Sequence, residues 1–244
     1  ATATVREHID AGFAAVIKGE YDQPISQAAT FAPAPWLGTR DNPEPEHYPR
    51  EGELDALPYP AWDLMPMEKY NDPFCKGRTV TVLTSRGCPL SCNFCTIAPH
   101  QGKRNYRRRD PKAVCDEIAE LITRYRPDEI YIDDDTITIN KKHLIAFCEE
   151  YRARNFGLPF SCMGNVPIDS DGIEAMAAAG CRALKFGVES GDPEVLAKIP
   201  KIVDLEEVRR TVRECREHGI QTHANFLVGL IGETRDSALR SLDY

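Results

Sequence analysis

Residues 78–95 read RTVTVLTSRGCPLSCNFC, a strand-like run that leads straight into three cysteines. The first part, residues 78–84, is rich in β-branched residues and predicts a buried strand. Cys88, Cys92 and Cys95 follow on the next loop. Because α/β folds place their sites at the carboxyl ends of their strands, three thiols at this position indicate a functional site.

The pattern of strand, loop and helix repeats after this stretch. Further strands are predicted at residues 129–133, 159–163, 182–188 and 220–228. Helices are predicted between them, beginning at Asp110-Pro111, at Asn140, near Asp171 and at Asp204, with Gly219 ending the last one. Strands that alternate with helices form βαβ units, so the sequence predicts an α/β fold with a parallel sheet.

One face of the predicted sheet is polar. Alternate strand residues supply it: Thr79 and Thr81, Tyr131 and Asp133, Lys185 and Glu189, His223 and Asn225. A closed eight-stranded barrel would fill its interior with branched apolar side chains. The polar face therefore favours an open, partial barrel of about five strands with a ligand inside. The alternative is an open doubly wound sheet whose polar residues lie at strand ends.

The segment before the sheet has a different composition. Half of the 18 prolines fall between Phe31 and Pro73, which predicts a Pro-rich strap over residues 31–76. Its apolar tail, LPYPAWDLMPMEKY, is predicted to pack on a neighbouring domain. Residues 1–30 contain a helix-like piece and a short apolar strand, and residues 77–244 form the core domain. Since the sequence has no initiator Met and ends early in a helix, we expect a piece of a longer protein.

Composition excludes several classes of protein. The 244 residues include 30 Lys and Arg against 38 Asp and Glu, a net charge of −8, which argues against a surface that holds nucleic acid by counterion release. No apolar run approaches the ~18 residues of a membrane span. Nine cysteines, odd in number and mostly scattered, are typical of reduced thiols. The sequence predicts a cytoplasmic protein.

The three loop cysteines suggest a metal centre. Thiolates are soft ligands that suit iron–sulfur clusters or zinc. With only three cysteines on the loop, a 4Fe-4S cluster would keep one iron open for another ligand. The rival interpretation is a Cys₃His zinc site completed by His100, in a non-catalytic module that contacts RNA through the basic run at residues 103–109. That run also fits a solvated loop, and the other six cysteines are predicted to be core residues.

The run CPLSCNFC matches the CxxxCxΦC signature of the radical S-adenosylmethionine (SAM) superfamily, with Phe94 as the aromatic residue. Over residues 50–244 the chain resembles the cobalamin-dependent class of that superfamily. Further matching blocks are LPYPAWDLMP, IYIDDDTIT, KFGVESGDPEVL and HANFLVGLIGET, and GFAAVIKGEYD resembles the end of the cobalamin-binding domain. The resemblance implies a partial (β/α)6 radical SAM barrel, incomplete at its carboxyl end. Before it would lie a remnant of a Rossmann-like cobalamin-binding domain, although the chain contains no DxHxxG motif.

The resemblance also implies cofactors and site residues. Cys88, Cys92 and Cys95 would hold a 4Fe-4S cluster. SAM would contact Phe94, the strand end Asp133, Asp134, Asp135 and Thr136, then Glu189 and Ser190, and the turn Gly229, Leu230 and Ile231. Two alternatives concern these residues: the three aspartates fit a turn or a Mg²⁺ site, and Glu189 fits a cap for the helix that begins at Asp192.

The implied activity is cobalamin-dependent methyl transfer to an unactivated carbon or phosphorus. A ring-forming cyclase of the same class is the alternative. The substrate would be a small molecule or peptide, and a flavodoxin- or ferredoxin-like donor would supply the low-potential electron.

Overall fold

The structure, a computed structural model, describes residues 5–18, 34–46, 53–69, 73–97 and 106–244. The chain divides into two compact units, residues 1–58 with 87–107 and residues 59–86 with 108–244. The predicted domain boundaries at residues 30 and 76 stay predictions. Within the described ranges, the helices are all too short or too polar to cross a membrane.

The first unit contains a short helix and a two-stranded sheet. Helix α1 spans Val5–Asp10, and strand β1 (Val16–Ile17) pairs antiparallel with β2 (Leu37–Gly38). The predicted helix and short strand are thus confirmed. A Cβ on Gly38 would lie 2.4 Å from Val5 Cγ1, so the close approach of α1 to β2 requires glycine.

The second unit is built on a five-stranded parallel sheet in the order β3-β6-β7-β8-β9. The strands are β3 (Thr79–Val82), β6 (Glu129–Ile132), β7 (Phe160–Gly164), β8 (Cys181–Glu189) and β9 (Gln221–Phe226), with two short strands, β4 (Ser85–Arg86) and β5 (Arg107–Arg108), between β3 and β6 along the chain. All five predicted strands are confirmed. Each strand lies beside its predecessor, without the reversal of order that defines a doubly wound sheet, so the barrel-type interpretation holds.

Helices follow the strands as predicted. They are α2 (Pro111–Tyr125), α3 (Lys141–Arg154), α4 (Ser170–Ala178), α5 (Pro193–Leu196), α6 (Leu205–Glu217) and α7 (Arg235–Asp243). The expected caps are present: the Asp110 carboxylate accepts the Lys112 N–H at 2.7 Å, and the Asn140 side chain accepts the His143 N–H at 3.0 Å. Short 3₁₀ helices cover Leu54–Ala56, Trp62–Leu64, Met67–Lys69 and Ile137–Ile139.

The two faces of the sheet differ in polarity, as the alternation predicts. One face packs under the helices. The largest fully buried side chains of the resulting core include Phe160, Phe186, Ile130 and Leu184 from the strands and Phe147, Ile118 and Leu144 from the helices. The other face carries the polar residues. The parallel register sets Thr81 beside Tyr131 and Lys185 beside His223, so these side chains share the inner face.

The apolar tail of the strap packs on the second unit, to which its residues from Tyr59 onward belong. Trp62 and Met67 contact the core cluster, as predicted. Leu64 is 79% exposed and Met65 is also exposed, so these two do not contribute to that contact. Tyr70 lies outside the described residues.

The last residues of the strap cover the amino end of the inner face. The Phe74 ring meets Tyr131 and His223 edge-on, with centroids 6.2 and 5.7 Å away, and the Lys185 ammonium lies 4.8 Å from the Phe74 centroid. Beside Phe74, the Arg182 guanidinium donates to its backbone oxygen at 2.6 Å. This end of the lumen is therefore filled by side chains.

Candidate functional site

The cysteine loop, residues 87–106, connects β4 to β5. Cys88, Cys92 and Cys95 are all half-buried. The Cys95 N–H donates to the Cys92 backbone oxygen at 3.1 Å, and the Ile97 N–H donates to Cys95 Sγ at 3.5 Å. The chain turns here so that one backbone amide, that of Ile97, approaches a cysteine sulfur.

The remaining cysteines are chemically different. All nine cysteines lie in the described ranges and none forms a disulfide. Cys115, Cys148, Cys162, Cys181 and Cys215 are buried in the core. Burial raises the pKa of Cys115 and of Cys215 to about 12, so neither is a thiolate near neutral pH. Cys75 corrects the prediction that all six are core residues, because it is half-buried and its sulfur lies 3.6 Å from Ser161 Oγ.

The donor set of the loop fits an iron–sulfur cluster. Its three thiols are reduced and reachable, and thiolates are the ligands that such clusters take, each at its own iron. Among the described residues, no three His, Cys, Asp or Glu side chains meet closely enough to hold a single metal ion. His100, the fourth ligand of the zinc alternative, lies outside the described residues.

The three aspartates that follow β6 differ in their exposure to solvent. Asp133 is exposed, Asp135 is half-buried and Asp134 is fully buried. Asp134 Oδ1 accepts the backbone N–H groups of Thr84 and Ser85 at 2.6 and 3.1 Å, and Oδ2 accepts their hydroxyls at 2.6 and 2.5 Å. The carboxylate of Asp134 is thus occupied by backbone and side chains of this chain.

Burial and hydrogen bonding act on Asp134 in opposite directions. Desolvation raises the pKa of Asp134 to about 6, although its bonds to Ser85 and Thr84 lower it. Thr136 is 2% exposed, and its hydroxyl finds no hydrogen-bond partner among the described residues. A buried unpaired hydroxyl is costly, so Thr136 is a polar group available to a ligand.

The end of β8 holds a strained glutamate. Glu189 has φ = 73°, the left-handed region that non-glycine residues rarely adopt, and such strain is concentrated at functional sites. Its Oε1 accepts the Lys201 ammonium at 2.6 Å, and Lys201 also donates to the Gly187 backbone oxygen at 2.8 Å. A Cβ on Gly187 would lie 2.0 Å from Glu189 Oε1, so glycine is required there.

The turn after Glu189 is fixed by the last helix. Ser190 is fully buried, and its hydroxyl lies 3.3 Å from Ser241 Oγ. Asp192 caps α5 through the backbone N–H groups of Glu194 and Val195. The helix cap is therefore Asp192, and the alternative role of Glu189 as that cap is wrong.

The turn at residues 229–231 and Phe94, both predicted to contact SAM, are accessible. Gly229 has φ = 96°, and its N–H donates to a Glu233 carboxylate oxygen at 2.5 Å. Ile231 is 65% exposed, Leu230 is half-buried and Phe94 is exposed. Their contact with SAM stays a prediction.

Two charged residues that hold parts of this site escaped the sequence analysis. Arg109 belongs to the run interpreted as a solvated loop, but its guanidinium pairs with Glu117 at 2.5 Å and both side chains are largely buried. That interpretation is wrong for Arg109, and residues 98–105 lie outside the described residues. Lys201 was also missed, since nothing in its sequence neighbourhood marks it as the partner of Glu189.

Comparisons with known proteins identify the family of this chain. Residues 82–244 match the Radical SAM superfamily. Cytidylyl-2-hydroxyethylphosphonate methyltransferase from Streptomyces wedmorensis is 34% identical over 211 residues, which cover 79% of this chain and 39% of that protein. Anaerobic magnesium-protoporphyrin IX monomethyl ester cyclase from Rubrivivax gelatinosus is 31% identical over 190 residues, which cover 76% of this chain and 33% of that protein.

A solved structure shares the fold. TsrM, a radical S-adenosylmethionine methyltransferase from Kitasatospora setae, is 26% identical with a TM-score of 0.62, covering 68% of this chain and 34% of TsrM in the form with cobalamin and [4Fe-4S] cluster bound. The chain thus spans between a third and two fifths of the length of these proteins. Because the superfamily match covers about two thirds of the chain, with the cysteine loop and the strands β6 to β9 of the parallel sheet, this chain belongs to the radical SAM superfamily.

Proposed function

We propose that the chain is the core of a cobalamin-dependent radical SAM methyltransferase. The observation that carries the proposal is the loop of three reduced, accessible thiols that follows the first strand of a parallel, barrel-type sheet. The cofactors would supply one-electron cleavage of SAM and carriage of a methyl group. The protein itself would bind and orient them and keep water away. Methyl transfer to an unactivated carbon or phosphorus is the proposed reaction.

Cys88, Cys92 and Cys95 are the proposed ligands of a 4Fe-4S cluster. We propose that Asp133, Asp135 and Thr136 accept hydrogen bonds from the ammonium group of SAM. We also propose that Glu189 and Ser190 contact its ribose or its methionine part. Contacts of the Gly229–Ile231 turn and of Phe94 with SAM are proposed as well. Asp134 is omitted from direct contact, because its carboxylate is already occupied by Thr84 and Ser85.

Cobalamin is proposed for this chain because TsrM binds it and the fold is shared. A cyclase is the second candidate, favoured by the 31% identity to the Rubrivivax enzyme. Product analysis separates the two, since methyl transfer yields S-adenosylhomocysteine in addition to 5′-deoxyadenosine. The proposed substrate is a small molecule or peptide. A low-potential flavodoxin or ferredoxin is the proposed donor, and the reduced cysteines support a cytoplasmic location.

The test is anaerobic reconstitution of the wild-type chain and of Cys92→Ala, followed by iron, sulfide and zinc analysis and by measurement of 5′-deoxyadenosine. We expect the wild type to hold the cluster and cleave SAM, and Cys92→Ala to lose SAM cleavage with little change in stability, because a loop thiol contributes little core burial. Cys75→Ala, the other half-buried cysteine, is the control and keeps the activity. Zinc without iron in the wild type, or SAM cleavage by Cys92→Ala, would contradict the proposal.

A further inference from the structure

Both ends of the cysteine loop are anchored in the second unit. Cys88 follows Ser85 by three residues along the chain, and the loop returns at Arg109. At this point the Arg109 N–H donates to the Thr84 backbone oxygen at 2.9 Å, and its guanidinium donates to the Leu83 backbone oxygen at 3.0 Å. The start and the end of the loop are therefore held side by side.

Buried charges hold this anchor. Asp134 accepts four hydrogen bonds from Thr84 and Ser85, all between 2.5 and 3.1 Å. Glu117, 2% exposed, accepts a hydrogen bond from the same Arg109 nitrogen, Nη1, that donates to Leu83. Burying a carboxylate among neutral donors costs free energy. A contact with a purely structural role could use apolar residues and would avoid this cost.

We propose that Asp134 and the Arg109–Glu117 ion pair are positioning residues that clamp both ends of the cysteine loop and thereby set its three sulfurs for cluster binding. This inference rests on the proposed function. A loop with fixed ends samples fewer conformations, so less entropy is lost when its thiolates bind the cluster. Groups that orient metal ligands without touching the metal are worth about 10- to 100-fold in metal affinity.

The strand β6 supplies a matched control. Ser85 donates its hydroxyl to Asp134 beyond the carboxyl end of β6, and Ser161 donates its hydroxyl to Glu129 at the amino end. Both serines are at most 1% exposed. Ser85→Ala and Ser161→Ala thus each remove one hydrogen bond from a serine hydroxyl to a buried carboxylate. Only Ser85 lies next to the cysteine loop along the chain.

The experiment reconstitutes the full chain of each variant anaerobically and follows iron release to the chelator ferrozine, alongside chemical denaturation of the chain. We expect release to be about 10- to 100-fold faster in Asp134→Ala and several-fold faster in Ser85→Ala and Glu117→Gln. Ser161→Ala should release iron at the wild-type rate despite a similar loss of stability.

The outcomes separate the two proposals. If the wild type takes up no cluster, the proposed function is wrong and this inference falls with it. If the wild type holds the cluster but Ser85→Ala and Ser161→Ala release iron equally, the clamp is wrong and the proposed function stands. Ser85→Ala is the milder variant, so the comparison of its iron release with that of Ser161→Ala tests the clamp even if Asp134→Ala does not fold.

Discussion

Glu129 and Asp134 are buried carboxylates at opposite ends of the same strand, β6, and they are held in different ways. Glu129 meets a cation: the Arg182 guanidinium donates to both of its oxygens, at 2.9 and 3.0 Å. Asp134 meets neutral hydroxyl and amide donors, with no ion pair among the described residues. Both side chains have essentially no exposure.

The difference follows the function of the two ends. At the amino end, Arg182 neutralises Glu129 and Phe74 fills the lumen, so that end contributes stability. At the carboxyl end, burial of the Asp134 carboxylate without a cation costs free energy, and its hydrogen bonds hold the attachment of the cysteine loop in place. Barrel folds commonly divide stability and chemistry between their two ends in this manner.

Removing the cation at the amino end should have the largest effect on stability. Arg182→Met leaves Glu129 buried with neutral donors only, which resembles the surroundings of Asp134. We expect the free energy of unfolding to fall by about 3–5 kcal/mol, because the charge remains buried without its partner. Chemical denaturation measures it, with Arg182→Lys as the charge-retaining control. A loss below about 1 kcal/mol would show that Glu129, like Asp134, can stay buried without a cation.

The pH dependence of stability tests the carboxyl end. The pKa of Asp134 is raised by burial from 3.8 to about 6, so the folded state binds its proton more tightly than the unfolded state. The contribution of Asp134 is therefore fully present below pH 3.8 and is lost as pH rises through about 6. We expect the stability difference between wild type and Asp134→Asn to shift by at most about 3 kcal/mol over this range. Denaturation at several pH values measures it.

His143 is in contact with this network, with Nε2 3.1 Å from Thr84 Oγ1. The comparison keeps His143 unchanged, because it is present in both proteins. A stability difference that stays constant from pH 4 to pH 7 would contradict the assigned surroundings of Asp134.

The smallest effect is expected at an exposed ion pair beside Glu129. Arg78 lies 3.6 Å from Asp128, and each side chain is more than half exposed. Solvent screens such pairs, so Arg78→Ala should change the free energy of unfolding by less than about 1 kcal/mol. Chemical denaturation of Arg78→Ala and of Arg182→Met compares an exposed ion pair with a buried one at the same end of the sheet. Equal losses would mean that burial does not explain the importance of Arg182.

Much of the fold was predictable because its signals are local. The five strands, the caps at Asp110 and Asn140 and the glycine stop at Gly219 each depend on a few neighbouring residues. The cysteine spacing is equally local, and together with the other matching blocks it identifies the family. The site was less predictable: the three adjacent aspartates are alike in sequence, yet one is exposed, one half-buried and one fully buried.

The amino-acid sequence by itself determined the alternation of strands and helices, the polar inner face and the three-thiol loop. Only the tertiary structure decided that Asp134 bonds Thr84 and Ser85, that Arg109 pairs with Glu117, and that Lys201 pairs with Glu189. The physical reason is that these partners depend on how separate strands and helices pack. Thr84 and Asp134, for example, are 50 residues apart, and no local pattern records which donors a buried carboxylate will meet.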